Sequence, residues 1–251
     1  MSSNTTANVS FDGPLATVTV STPDGLNIMS AAAINRLGDA IKRVAARPEV
    51  RFTIIRAEGK VYVAGADIKE MSAFGPDEAT QFGCEGSAVC DSIEKLPSVT
   101  IAAIHGAALG GGCEIALACD FRIATANVKL GLPETTLGLI PGWGGVPRAH
   151  KLLGGPAAKR LIFSGNPLTA DQAKAAGLVD QVVPDQPALD DAVRKIVLSL
   201  SKGAPAAIAL AKRALRDGKD VDAFADCFRD NQSREGMAAF MEKRAAGWMN
   251  I

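Results

Sequence analysis

Histidine, tyrosine and net charge are what this chain has least of. Its 251 residues include two histidines and one tyrosine, and 27 Lys+Arg are balanced by 27 Asp+Glu. With only His105 and His150 present, a Ser–His–Asp or Cys–His triad has little material, and the serines show no GxSxG elbow. Balanced charge gives no support to nucleic-acid or membrane-surface binding, which ordinarily rests on a basic patch. The cysteines, Cys84, Cys90, Cys113, Cys119 and Cys227, are odd in number and include no CxxC pair. Neither a disulfide framework nor a metal site is therefore expected, and a reducing, cytoplasmic setting fits. No GxxxxGK phosphate loop occurs. The opening MSSNTTANVS lacks a basic region followed by an apolar stretch, so no signal peptide is expected. The most apolar window, Val99 to Cys119, is long enough to suggest a membrane span. It is interrupted by His105, Glu114 and an unbroken glycine triplet, so a span is not expected.

What the chain does have is apolar material: 47% of it is hydrophobic, enough for one large domain or a domain with an appendage. PLATVTVSTP alternates as a strand does and ends at the turn Pro23-Asp24-Gly25. A helix follows, with Ser30 as its cap and Ile34, Leu37, Ile41 and Val44 at helical spacing. RFTIIRA (51–57), VTIAAIHG (99–106) and FRIAT (121–125) read as buried strands. A helix is expected over about 77–95 and a short one at CEIALAC (113–119). This β–α–β–α–β order favours an α/β architecture with crossover connections. From Asp190 onward the chain reads as almost wholly helical, giving a core of 1–190 and a helical segment of 191–251.

Four constellations stand out, each open to a functional and a plainer reading. In GGGCE (110–114), glycines permit close approach of a ligand, and a helix starting there turns unpaired N–H groups toward a negatively charged oxygen. The plainer reading is tight strand–helix packing, with Glu114 complementing the helix dipole. VAGADIKEM (63–71) follows a buried strand, where α/β folds place binding loops, or it is a loop in which Asp67 caps a helix. LPETTLGLIPGWGG (132–145) puts Glu134 in apolar company. Paired with Glu114 it suits acid–base work; alone it suits a surface salt bridge. In EGMAAFMEKRAAGW (235–248), Phe240 and Lys243 lie three apart on one expected helix face. They suit an adenine and a phosphate, or simple packing on a neighbour.

AGADIKEM, AAIHGAALGGGCEIALACD, LGLPETTLGLIPGWGG, LTADQAKAAGLVD and EGMAAFMEKR, in that order, resemble the enoyl-CoA hydratase/isomerase (crotonase) family over about residues 8–248. The resemblance implies an α/β fold of repeated ββα units with a C-terminal helical trimerisation segment, assembled as a homotrimer or homohexamer. It implies an acyl-CoA thioester as ligand, with coenzyme A part of the substrate and no separate cofactor. By position, Ala66 and Gly111 match the oxyanion-hole donors, and Glu114 and Glu134 match the catalytic glutamates of hydratases. Ala64, Asp67, Ile68, Lys69 and Gly110 match the segments along which coenzyme A lies. Phe240 and Lys243 match residues that reach the coenzyme A of a neighbouring subunit. Two glutamates point to a hydratase adding water in the syn sense to a 2-enoyl-CoA, as in fatty-acid β-oxidation. The alternatives are an isomerase, a hydratase for an unusual or cyclic enoyl-CoA, and a non-enzymatic scaffold or RNA-binding member. Trp143 and Val146-Pro147 depart from the common pattern near the acyl end. Trp143 either lines the acyl pocket or packs beside it.

Overall fold

The computed structural model describes residues 4–249. The chain begins with a hairpin, β1 (Thr6–Asp12) and β2 (Leu15–Ser21), turned by Gly13 at φ +51°. Next come β3 (Ile28–Met29) and α1 (Ala31–Ala45), then β4 (Phe52–Ala57), β5 (Gly65–Ala66), α2 (Ile68–Met71) and α3 (Pro76–Lys95). β6 (Val99–Ile104), β7 (Ala108–Leu109) and α4 (Gly111–Leu117) follow. After them lie β8 (Phe121–Thr125), β9 (Lys129–Gly131), a 3-10 turn (Pro133–Leu137) and α5 (Gly145–Ser164), which kinks at Gly154. The remainder is β10 (Leu168–Thr169), α6 (Ala170–Ala175), β11 (Gln181–Val183), α7 (Gln186–Leu200), α8 (Pro205–Asp217), α9 (Asp220–Asp226) and α10 (Gln232–Met241).

One pattern repeats. β2, β4, β6 and β8 each lie in a six-stranded sheet of order β1-β2-β4-β6-β8-β11, parallel except for the first pair. Each is followed by a short strand in a smaller sheet (β3, β5, β7, β9) and then by a helix. These are the expected ββα units. The short strands pair as β3-β5 and β10-β9-β7, with a bridge from Val63 to Ala108 joining the two groups. The stretches that leave the main sheet, including AGAD and GGGCE, are thereby gathered at one place.

Both faces of the main sheet are covered, which is why its inner strands read as continuous apolar runs. Ile55, Ala102, Ile104 and Ala124 face α1, α3 and α4. Phe52, Ile54, Ile101, Ala103 and Ile123 face Leu189, Ala192 and Val193 of α7, with Ile208 of α8 beside them. Residue 190, the expected division, therefore falls inside a helix that closes the sheet. β1 was not expected from sequence. TANVSFD lies on the sheet's edge, yet it alternates half-buried Ala7, Val9 and Phe11, which pack on the core, with exposed Asn8, Ser10 and Asp12, a period-two strand pattern already present in the sequence.

The C-terminal helices are tied back by charge. Arg51 donates to the carbonyls of Ser201, Gly203 and Trp248. Asp120 Oδ2 accepts from the Thr100 N–H (2.7 Å), the Thr100 hydroxyl (2.8 Å) and Lys212 Nζ of α8 (2.7 Å). Asp120→Ala leaves the mostly buried Lys212 with only the Ser98 carbonyl and a strand N–H without a partner, so it should lower unfolding free energy by about 2–4 kcal/mol. Urea unfolding with an unchanged midpoint would remove Asp120 from this role.

Candidate active site

α4 has seven residues, all buried, and is held at both ends. Its N-cap is Gly110, at φ +52° and ψ −123°, whose N–H donates to the Gly131 carbonyl (2.9 Å). At the other end the buried Arg122 donates to the carbonyls of Cys119 (2.6 Å) and Leu178 (3.0 Å) and pairs with Asp180 (3.2 Å). Cationic charge at a helix C-terminus complements its dipole. The short helix thus points its unpaired N-terminal N–H groups in a fixed direction.

Glu114 lies in the first turn of α4 and is 2% exposed. Its Oε1 accepts two backbone hydrogen bonds, from the N–H of Trp143 and of Gly145, each 2.7 Å. Burial pushes its pKa up, and the charge of Glu134 adds to the rise. The two N–H bonds and the Arg148 charge oppose it, and the balance lies at about 7. Glu134 sits in the 3-10 turn Pro133–Leu137, with its Oε1 over Gly110: a Cβ there would meet it at 3.1 Å. Burial raises its pKa too, and its Oε2 is buried without a hydrogen-bond partner. The two carboxyls therefore differ. One is anchored by main-chain donors, while the other keeps a buried oxygen with no hydrogen-bond partner.

The remaining expected residues fall as follows. Gly111 opens α4, and its nitrogen lies 4.0 Å from where a Cβ on Gly65 would be, so β5 and the start of α4 are neighbours. Ala66 ends β5, and Asp67 caps α2, accepting from the N–H groups of Lys69 and Glu70. The capping reading of Asp67 is thus observed. Ala64, Ile68 and Lys69 are exposed along the same edge. Trp143 is packed rather than open. It is 3% exposed, its indole lies against Phe82 (5.6 Å between ring centroids), and it occupies the space beside Gly86 and Gly111. What it presents to Glu114 is its main-chain N–H.

The expected helix face shared by Phe240 and Lys243 is not formed. α10 stops at Met241, and Lys243 adopts a left-handed conformation at φ +55°. The Arg244 N–H donates to the Ala239 carbonyl (3.0 Å), the bond that closes such a helix end. Phe240 is 85% exposed, Lys243 is exposed, and α10 packs on α8.

Two contributors escaped the sequence reading. Asn27 is buried at φ +51°, and its Nδ2 lies 2.8–3.1 Å from the carbonyls of Glu58, Val61 and Tyr62, fixing the loop that leads to AGAD. A lone polar residue before an apolar pair was the available signal. Arg148 donates to the Trp143 carbonyl (3.0 Å), and no local pattern announces that contact. A cavity of about 540 Å³ opens at the far end of α4, between α5 and α8, and touches neither glutamate. Among the described residues no helix is long and apolar enough to cross a membrane, and no cluster of three or more His, Cys, Asp or Glu could hold a metal ion.

Residues 10–250 match the sequence pattern of the group described as enoyl-CoA hydratase/isomerase. The chain is 38% identical to a short-chain-enoyl-CoA hydratase of Clostridium acetobutylicum over 244 residues, 93% of each chain. It is also 38% identical to a crotonyl-CoA hydratase of Syntrophomonas wolfei, over 94% of this chain and 95% of the other. The fold superimposes on the crystal structure of an enoyl-CoA hydratase from Bacillus anthracis with a TM-score of 0.90 at 32% identity, covering 98% of this chain and 99% of that one. Repeated ββα units, a short helix with a buried glutamate in its first turn and similarity along nearly the whole length agree: the chain belongs to the enoyl-CoA hydratase/isomerase, or crotonase, family.

Proposed function

We propose that the protein is an enoyl-CoA hydratase that adds water reversibly across the 2,3 double bond of a 2-enoyl-CoA. The observation that carries this reading is the unequal pair of buried carboxyls, Glu114 held by two N–H donors and Glu134 with an unpartnered Oε2. An isomerase needs one mobile proton. Adding water needs a base and an acid together, and neighbouring carboxyls whose surroundings differ supply both.

In hydration, ionised Glu114 takes a proton from water as the oxygen bonds to the β carbon. The π electrons shift toward the thioester oxygen, which receives the N–H groups of Ala66 and Gly111. A pair of such donors aimed at developing charge is worth about 3–4 kcal/mol per donor. Glu134, protonated, then delivers its proton to the α carbon, on the same face as the water. Glu114 ends protonated and Glu134 ionised, and dehydration runs the steps backward. Coenzyme A lies along Ala64, Asp67, Ile68, Lys69 and Gly110, with Phe240 and Lys243 reaching it from a neighbouring copy. The indole of Trp143 closes the acyl end from behind Gly111 and favours short acyl groups. Relatives named for short-chain and crotonyl substrates support this preference.

The exposed apolar side chains of the C-terminal helices support assembly as a trimer or a pair of trimers. Leu215 is 81% exposed, and Val221, Phe224, Phe240 and Met241 are exposed beside it in sequence. An apolar set of this kind on a globular chain marks a protein contact.

Glu114→Gln and Glu134→Gln should each fold and bind acyl-CoA, with hydration of crotonyl-CoA reduced by about 10²–10⁴. Wild-type turnover in either variant would overturn the assignment, and release of conjugated product from a 3-enoyl-CoA at a higher rate than hydration would favour an isomerase. The pH profile has a defined sign. Hydration needs ionised Glu114, so kcat/KM should fall as pH drops below about 7, while dehydration should fall as pH rises above it. Val221→Glu with Phe224→Glu should shift sedimentation toward the monomer and raise KM for coenzyme A esters, because the neighbour's contribution is lost with the contact.

A further inference from the structure

The loop that holds Glu114 is itself held by one side chain. Arg148, in the first turn of α5, has a side chain 11% exposed and uses all three guanidinium nitrogens. Nη1 donates to the Trp143 carbonyl (3.0 Å), Nε to Glu94 Oε2 (2.9 Å) and Nη2 to Asp91 Oδ1 (2.5 Å). Glu94 and Asp91 belong to α3, whose Gly86 also abuts the Trp143 indole. Residue 143 is thus gripped on three sides: its carbonyl by Arg148, its ring by α3 and its N–H by Glu114. The room for this grip comes from Gly144, at φ +88°, where a Cβ would lie 2.2 Å from Arg148 Nη1.

We infer that Arg148 is a positioning residue for the base, holding the main chain of residues 143–145 so that two N–H groups converge on one oxygen of Glu114. The Trp143 carbonyl lies on the peptide unit between the two that carry the Trp143 and Gly145 N–H groups, so without that hold the middle unit is free to rotate and the two donors lose their fixed relative orientation. The other carboxylate oxygen, which faces the reacting water, then loses its fixed direction. This inference rests on the reading of Glu114 as the base.

The charged and titratable groups around the base come from four directions. Glu134 approaches from the 3-10 turn, Arg148 from α5, Cys113 from α4 itself and Cys90 from α3. Burial pushes both thiols up, so they stay neutral, and Arg148 is the cation that acts on Glu114. Asp91 and Glu94 offset part of its charge. Across the 540 Å³ cavity lie Lys151, Lys212 and Arg216, of which Lys212 is paired with Asp120 and Arg216 with Asp217. Removing the Arg148 charge leaves Glu114 with less to oppose its burial.

The test compares Arg148→Met, Arg148→Lys and the double variant Asp91→Asn/Glu94→Gln with the wild type, in hydration of crotonyl-CoA from pH 5 to 9. Thermal melts serve as the check on folding. Arg148→Met should lower kcat by about 10- to 100-fold, the scale of a small misplacement of a catalytic group. KM should stay within about twofold, and the acidic limb should move up by about half a unit to one unit. Arg148→Lys should raise the limb less than Arg148→Met does, because the charge remains. It should recover only part of kcat, since one Nζ cannot reach three acceptors on two elements. The double variant loosens Arg148 without removing it; kcat should fall, and the limb should rise less than in Arg148→Met, because the charge remains. An unchanged kcat and limb in folded Arg148→Met, or a rise in KM alone, overturns the inference. If Arg148→Met does not fold, an unchanged kcat in the double variant or a wild-type kcat in Arg148→Lys does the same. Failure of the parent reading shows elsewhere: the wild type then lacks the limb near pH 7, or Glu114→Gln retains turnover.

Discussion

Two main-chain N–H groups, those of Trp143 and Gly145, meet on a single oxygen of Glu114 inside the protein. Burial alone would keep this carboxyl protonated well above neutrality, and two short hydrogen bonds alone would keep it ionised well below. Together they leave it near pH 7, where both forms are populated. The bonds also join α4 to the start of α5, elements separated by a strand pair and a 3-10 turn. Much of the surrounding sequence serves this convergence. Gly145 brings its nitrogen to the carboxylate where a Cβ would strike it, and Gly110 leaves room for Glu134.

The sheet makes the convergence rigid. With both faces covered, its inner strands present no free surface, and the short strands that follow them are delivered to one edge in a set order. Two of these, β5 and β7, run directly into AGAD and GGGCE. AGAD and GGGCE therefore lie where the main sheet hands its chain to the smaller sheets, and strand pairing holds them there.

Much of this was legible in the sequence. Val99–Ile104 and Phe52–Ala57 announced themselves as doubly buried strands, Ser30 as a helix cap and Glu114 as a carboxylate in the wrong company. What stayed hidden depends on contacts between distant segments. Arg148 reads as one more cation in a basic stretch until α3 is brought beside it. Asn27 looks like a turn residue, yet it knits a loop thirty-odd positions away. Lys243 was expected on a helix face by spacing alone, but the helix ends two residues earlier because the chain turns left-handed there.

The packing of Trp143 has a consequence for how this position varies. Its indole occupies volume that α3 and α4 leave empty at Gly86 and Gly111, where a Cβ would sit 2.3 and 2.1 Å from the ring. The main-chain N–H needed by Glu114 is supplied by any residue except proline. Side-chain size at 143 is thus uncoupled from acid–base chemistry and coupled to size at 86, on a different helix. A side chain larger than glycine at 86 or 111 would therefore demand a smaller one at 143, so the packing between α3 and α4 is set by these residues together rather than by any one alone.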